Sequence, residues 1–129
     1  MNTIVESFKK INSNIDKLKP KKKVNIVAVS KTFSLEHIKP LIDFGHKHFG
    51  ENKVQEAQSK WVDLKQENSG KNIELHLIGP LQSNKANLAL DIFDVIQTVD
   101  REKIALKLNK YLQEKTNINK KKFFIQVNI

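Results

Sequence analysis

The sequence predicts an α/β fold built on a parallel sheet, and three observations carry that reading. Short runs rich in β-branched and aromatic residues alternate with stretches of helical period, one strand about every 20 to 29 residues. No Asn-Gly or Asp-Gly pair joins two such runs into a hairpin, so the strands are expected to run parallel through crossovers. The composition, 39% hydrophobic and 29% charged over 129 residues, is that of an ordinary soluble domain able to bury one core. A complete eight-unit barrel of such strands and helices takes roughly 250 residues. At this spacing the chain supplies about five units, either an open sheet of five strands or the first part of a barrel.

Each element has its own signal. Ile4, Phe8, Ile11, Ile15 and Leu18 form one stripe of a first helix, which Pro20 ends. Residues 24–32 (VNIVAVSKT) read as a first strand. Ser34 can cap a short helix bearing Leu35, Ile38, Leu41 and Ile42, with Pro40 expected to kink or break it near Lys39 and Gly45 to close it. His48-Phe49-Gly50 is a short strand ending at Glu51 and Asn52. Asn52 and Gln55 approximate a capping box for a helix with the buried stripe Val54, Ala57, Trp61 and Leu64. After a turn at Asn68-Ser69-Gly70, residues 73–79 form a third strand. Ser83 or Asn84 caps a helix with Ala86, Leu88, Ala89 and Leu90, and residues 93–99 form a fourth strand. Asp100 caps a helix carrying Ile104, Leu108 and Tyr111 or Leu112, and residues 123–129 form a fifth strand.

Several function classes are excluded or disfavoured. The chain has no cysteine, which excludes thiol catalysis, disulfides and thiolate metal sites and fits a cytoplasmic protein. No apolar run approaches the ~20 residues of a membrane span, and the N-terminal MNTIVESFKKINSNI lacks the apolar core of a signal peptide. The net charge of +9 raises polyanions as partners. The basic clusters, however, are Lys17, Lys19, Lys21, Lys22 and Lys23, then Lys120, Lys121 and Lys122, each just before a strand. In a parallel sheet that is the edge opposite the one where sites are built, so they read as solvated faces and nucleic acid is not expected as a partner. No G-x-G-x-x-G, Walker loop, G-x-S-x-G or H-E-x-x-H is present. His46 and His48 share a strand face at best, no carboxylate stands at ligand spacing, and no metal site is expected. His76 alternates with Leu75 and Leu77 and would face a barrel interior as a satisfied core histidine.

The chemically suggestive residue is Lys31. Strand alternation puts Val27, Val29 and Lys31 on one face. The amine then either marks only where the strand meets water, the reading this stretch alone favours, or sits at the end of an apolar wall, the reading the rest of the chain favours. At the end of such a wall desolvation favours the neutral form that attacks an aldehyde. Polar residues gather at the carboxyl ends of the other strands as well: Glu51 and Asn52, Gln82 to Lys85, Thr98 and Asp100, and Asn128. In a parallel barrel those ends share one mouth.

The motifs AVSK (28–31), FGEN (49–52) followed by VQEA (54–57), and HLIGPLQSNK (76–85) agree in order and spacing across residues 24–100 with a known family, and QVNI (126–129) fits its next strand. In these residues the chain resembles the pyridoxal-phosphate homeostasis protein family, the YggS family of bacteria, related to the barrel domain of alanine racemase. The resemblance implies an α/β fold, a parallel (β/α) TIM-barrel of the alanine racemase N-terminal type with about five of eight strands present, and a single domain spanning residues 1–129. It implies pyridoxal 5′-phosphate (PLP) as cofactor, with Lys31 as the aldimine lysine, Asn52 beside the cofactor, and Gln82 and Asn84 on the rim. It implies a carrier in PLP homeostasis with no catalytic residues. Tyr111, the single tyrosine, is expected mid-helix and away from the mouth, which leaves no second acid/base group for a racemase.

Two departures qualify these expectations. Many relatives carry a second lysine two residues after the first, where this chain has Phe33. The family's C-terminal part, which supplies the last strands and the groups that cradle the phosphate, has no counterpart in the 129 residues. Weak or absent PLP binding is therefore expected for this chain alone, together with self-association through open sheet edges. The alternatives are a racemase-like enzyme using the same lysine and a basic nucleic-acid-binding module.

Overall fold

The computed structural model describes residues 3–67, 72–115 and 120–129. The expected turn at Asn68-Ser69-Gly70 lies outside the described residues. Five parallel strands form one sheet in the order β1-β2-β3-β4-β5: β1 (Ala28–Val29), β2 (His48–Glu51), β3 (Glu74–Leu77), β4 (Val95–Val99) and β5 (Lys122–Ile125). Helix α1 (Thr3–Lys17) precedes them, and α2 (Leu35–Asp43), α3 (Val54–Gln66), α4 (Ala86–Ile92) and α5 (Glu102–Glu114) connect them. A sequential parallel order with right-handed crossovers puts every connecting helix on the same face. It is the arrangement of five consecutive units of a (β/α) barrel.

The period of two separates the faces of the sheet. Phe49, Leu75, Leu77 and Ile96 are buried against α2, α3, α4 and α5, where Ile38, Leu41, Ala57, Trp61, Ala89, Leu90 and Ile104 join them in one apolar cluster. The row Val29, Gly50, His76, Val95 and Lys122 runs across the other face, as the strand register fixes. Val29 on that face is 51% exposed.

Several elements differ from expectation. The first strand pairs over two residues because, at an edge, β2 is its sole partner. Helix α2 runs unbroken through Pro40; Ile38, Leu41 and Ile42 are all buried, and their packing offsets the one hydrogen bond that proline removes. The stripe of α1 is half used. Phe8 packs edge-on against Phe44 with ring centroids 6.0 Å apart, whereas Ile11 and Leu18 stand 50% and 81% exposed. Ser34 takes the N-cap position of α2 as expected, whereas the caps expected at Asn52 and Asp100 are displaced by one residue. Lys53 and Arg101 occupy the N-cap positions of α3 and α5, and the Ser34 hydroxyl bonds the His37 ring at 2.9 Å instead of a backbone amide. Ser83, Asn84 and Lys85 form a 3-10 turn, with Gln82 before it and Lys85 leading α4. The lysines at 17, 19, 21, 22 and 23 are exposed, as are Lys120 and Lys122. Among the described residues no helix is long and apolar enough to cross a membrane.

Candidate functional site

Lys31 lies in the turn after β1, and the chain on both sides of it is tied down. Ser30 is buried and donates its amide to the Gly50 carbonyl at 2.9 Å, extending the β1–β2 ladder by one residue. The Ser30 carbonyl accepts from Lys60 Nζ at 2.6 Å. Thr32 adopts φ +65°, in the left-handed region that β-branched residues rarely enter. Its amide donates to Glu56 Oε2 at 2.6 Å, which holds that strained turn. Glu56 and Lys60 are one turn apart on α3 and 3.6 Å from each other, so a single helix face holds both neighbours of Lys31. Lys31 itself is exposed. The expected apolar wall is incomplete, because Val29, which lines a shallow pocket with Ile4 of α1 and Ile38 of α2, is 51% exposed.

Beneath this turn is a buried carboxylate that the sequence reading placed among the strand-end polar residues without a partner. Glu51 is 0% exposed, since it shares the helix-facing side of β2 with Phe49. It accepts from Trp61 Nε1 at 3.0 Å, from Lys60 Nζ at 3.1 Å and from the Ser30 hydroxyl. Lys60 is only 8% exposed, so the charge pair is desolvated and depends on these hydrogen bonds. The readable signal is a glutamate two residues after a buried phenylalanine, a spacing that demands a donor from the covering helix.

The neighbouring strand ends frame a groove of about 420 Å³ lined by Asn52, Lys53, Val54, Gln55, Pro80, Gln82 and Lys85. A Cβ added at Gly79 would overlap the backbone of Asn52, so glycine is what lets the β2 and β3 ends meet here. Of the expected site residues, Asn52 and Gln82 thus share one groove. Asn84 is exposed on the 3-10 turn and is not among the lining residues, and Lys31 stands outside the groove beyond the end of β1.

At the opposite, amino end of the strands the register brings together residues that are distant in sequence. His48 pairs with Glu74, and His76 lies two residues further along β3 on the same face. His48 Nδ1 is 3.2 Å from His76 Nε2 and 3.4 Å from Glu74 Oε2. Gln97 holds His76 Nδ1 at 2.9 Å. Burial first, with the nearby His48 and Lys122 adding to it, lowers the His76 pKa from its ordinary value, against the opposing pull of Glu74 and Asp94. The carboxylate found wanting at ligand spacing is therefore Glu74, supplied across the ladder.

No family model matches the chain. It is 47% identical over 97 residues to the pyridoxal phosphate homeostasis protein of Buchnera aphidicola from Schizaphis graminum, covering 75% of this chain and 41% of that protein. It is 38% identical over 133 residues to the protein of that name from Vibrio cholerae, covering 99% and 56%. The chain is homologous to the pyridoxal phosphate homeostasis proteins. The homeostasis protein of Escherichia coli is 42% identical over 106 residues, with 82% and 44% covered. Among solved structures, PipY of Synechococcus elongatus with PLP bound matches at a TM-score of 0.65 and 36% identity, covering 79% of this chain and 48% of PipY. A protein of Bifidobacterium adolescentis matches at a TM-score of 0.73 and 27% identity, covering 86% and 48%. The chain spans about half the length of the homeostasis proteins it matches.

Proposed function

We propose that this chain binds PLP through Lys31 and serves cytoplasmic PLP homeostasis as a carrier without catalysis of its own. The observation that carries the reading is the turn at Lys31: an exposed amine whose two flanking residues are fixed by Lys60 and Glu56 of α3. When bound, PLP supplies an aldehyde carbon open to attack by a lysine amine. The residues present fit such a group. Lys31 would meet the aldehyde, and the groove at the neighbouring strand ends, outside which Lys31 stands, offers the amides of Asn52 and Gln82 and the ammonium groups of Lys53 and Lys85 to an anion. The non-catalytic part is supported by Tyr111, which packs against the apolar cluster on α5 rather than at the strand ends.

The test is titration of the purified chain with PLP, followed by borohydride reduction and peptide mapping, with Lys31→Ala in parallel. The expected result is weak binding whose fixed mass maps to the peptide containing Lys31. Labelling that is unchanged in Lys31→Ala overturns the reading. An amino-acid racemisation assay is expected to stay at background, and turnover that disappears in Lys31→Ala would establish the enzyme alternative.

A further inference from the structure

The cluster at the amino end of the strands is untouched by that proposal. We propose that His48, Glu74 and His76 form a binding site for one divalent transition-metal ion of the zinc, cobalt or nickel class. The three ligand atoms lie within 4.8 Å of one another. Two atoms bound at about 2.0–2.2 Å by one tetrahedral ion stand roughly 3.3 to 3.6 Å apart, from bond length and angle alone. His48 Nδ1 has the other two atoms at 3.2 and 3.4 Å, so two of the three separations are close to those of a shared ion, and the third is within 4.8 Å.

The donor set and its support point the same way. Two imidazoles and one carboxylate, with further positions open, suit zinc and its neighbours rather than magnesium or calcium. The three residues sit on two hydrogen-bonded strands, which fix them better than a loop would. Gln97 lies against the second ring nitrogen of His76 at 2.9 Å. The amide nitrogen is the atom that faces it, donating to Nδ1 and leaving the ring proton on Nε2. A flip that puts the amide oxygen there instead takes the Nδ1 proton and frees the Nε2 lone pair for an ion shared with His48 and Glu74. Lys122 Nζ lies 3.6 Å from Glu74 Oε1, so it engages the other carboxylate oxygen and leaves Oε2 for the ion, while its charge opposes binding.

The experiment is titration of the tag-free full chain with cobalt(II), read by visible absorbance, and with zinc(II), read calorimetrically. Variants are His48→Gln and Glu74→Gln, both partly exposed positions whose folding is checked by far-ultraviolet circular dichroism, with His37→Gln as control. One equivalent is expected, with affinity at least about tenfold lower in each folded variant and unchanged in His37→Gln. Lys122→Gln is expected to tighten binding. Absence of binding overturns the proposal. So does binding that survives both His48→Gln and Glu74→Gln, or that falls equally in His37→Gln. PLP plays no part in the readout, so this result stands apart from that of the Lys31 experiment.

Discussion

The two ends of this sheet handle charge in opposite ways. At the carboxyl end of β2 the carboxylate points into the helix layer: Glu51 is sealed under Lys60, Trp61 and Ser30, while Lys31 is exposed. At the amino end His48, Glu74 and His76 sit on the face away from the helices and use one another as partners. The difference is one of register. Glu51 follows the parity of Phe49 and is forced under α3, whereas His48 and His76 follow the parity of Gly50 and escape the helices. A buried charge must be fully partnered to be tolerated, so Glu51 is locked into the scaffold beneath the Lys31 turn, whereas His48 and Glu74 stay partly exposed.

The comparison can be broken by substitution. Lys60→Met removes the cation from a sealed carboxylate and is expected to cost about 3–5 kcal/mol in urea unfolding. It should also lower borohydride-fixed PLP labelling, because the Ser30 carbonyl loses its tether. Trp61→Phe keeps the ring but removes the indole donor to Glu51, and about 1.5–3 kcal/mol is expected in the same assay. Gly79→Ala pushes the β2 and β3 ends apart, with about 1–3 kcal/mol expected and weaker PLP labelling through displacement of Asn52. At the amino end His48→Gln, at a partly exposed position, is expected to change stability by less than about 1 kcal/mol. A greater loss there than in Lys60→Met would reverse the comparison. Asn84→Ala should be the mildest, within about 0.5 kcal/mol and without effect on PLP labelling, since the residue is exposed and outside the groove. A measurable fall in labelling would return Asn84 to the rim.

The order and type of the strands and α-helices were legible in the sequence, because period and turn residues are local signals, but the 3-10 turn at Ser83–Lys85 was not. The stripe Val54, Ala57, Trp61 and Leu64 is buried as its spacing requires. Element ends were less legible. β1 shrank because the ladder of an edge strand depends on one neighbour, and the caps at Asn52 and Asp100 slipped by one residue. The exposure of Lys31 was misread for a related reason. Alternation gives the face on which a side chain lies, but whether that face is covered depends on what the rest of the chain packs against it.

By itself the sequence determined the alternation of strand and helix, the parallel pairing, and the motifs around Lys31, Asn52 and Gln82 that tie the chain to the PLP homeostasis proteins. All of these are written within one turn or one strand. The tertiary structure decided which polar residues met. Lys60 and Glu56 reach back about 30 and 24 residues to Ser30 and Thr32, and Glu74 and His76 come beside His48 across a ladder. Such pairings follow from strand register and helix docking. Those depend on the summed burial of the whole apolar cluster, and no short motif encodes them.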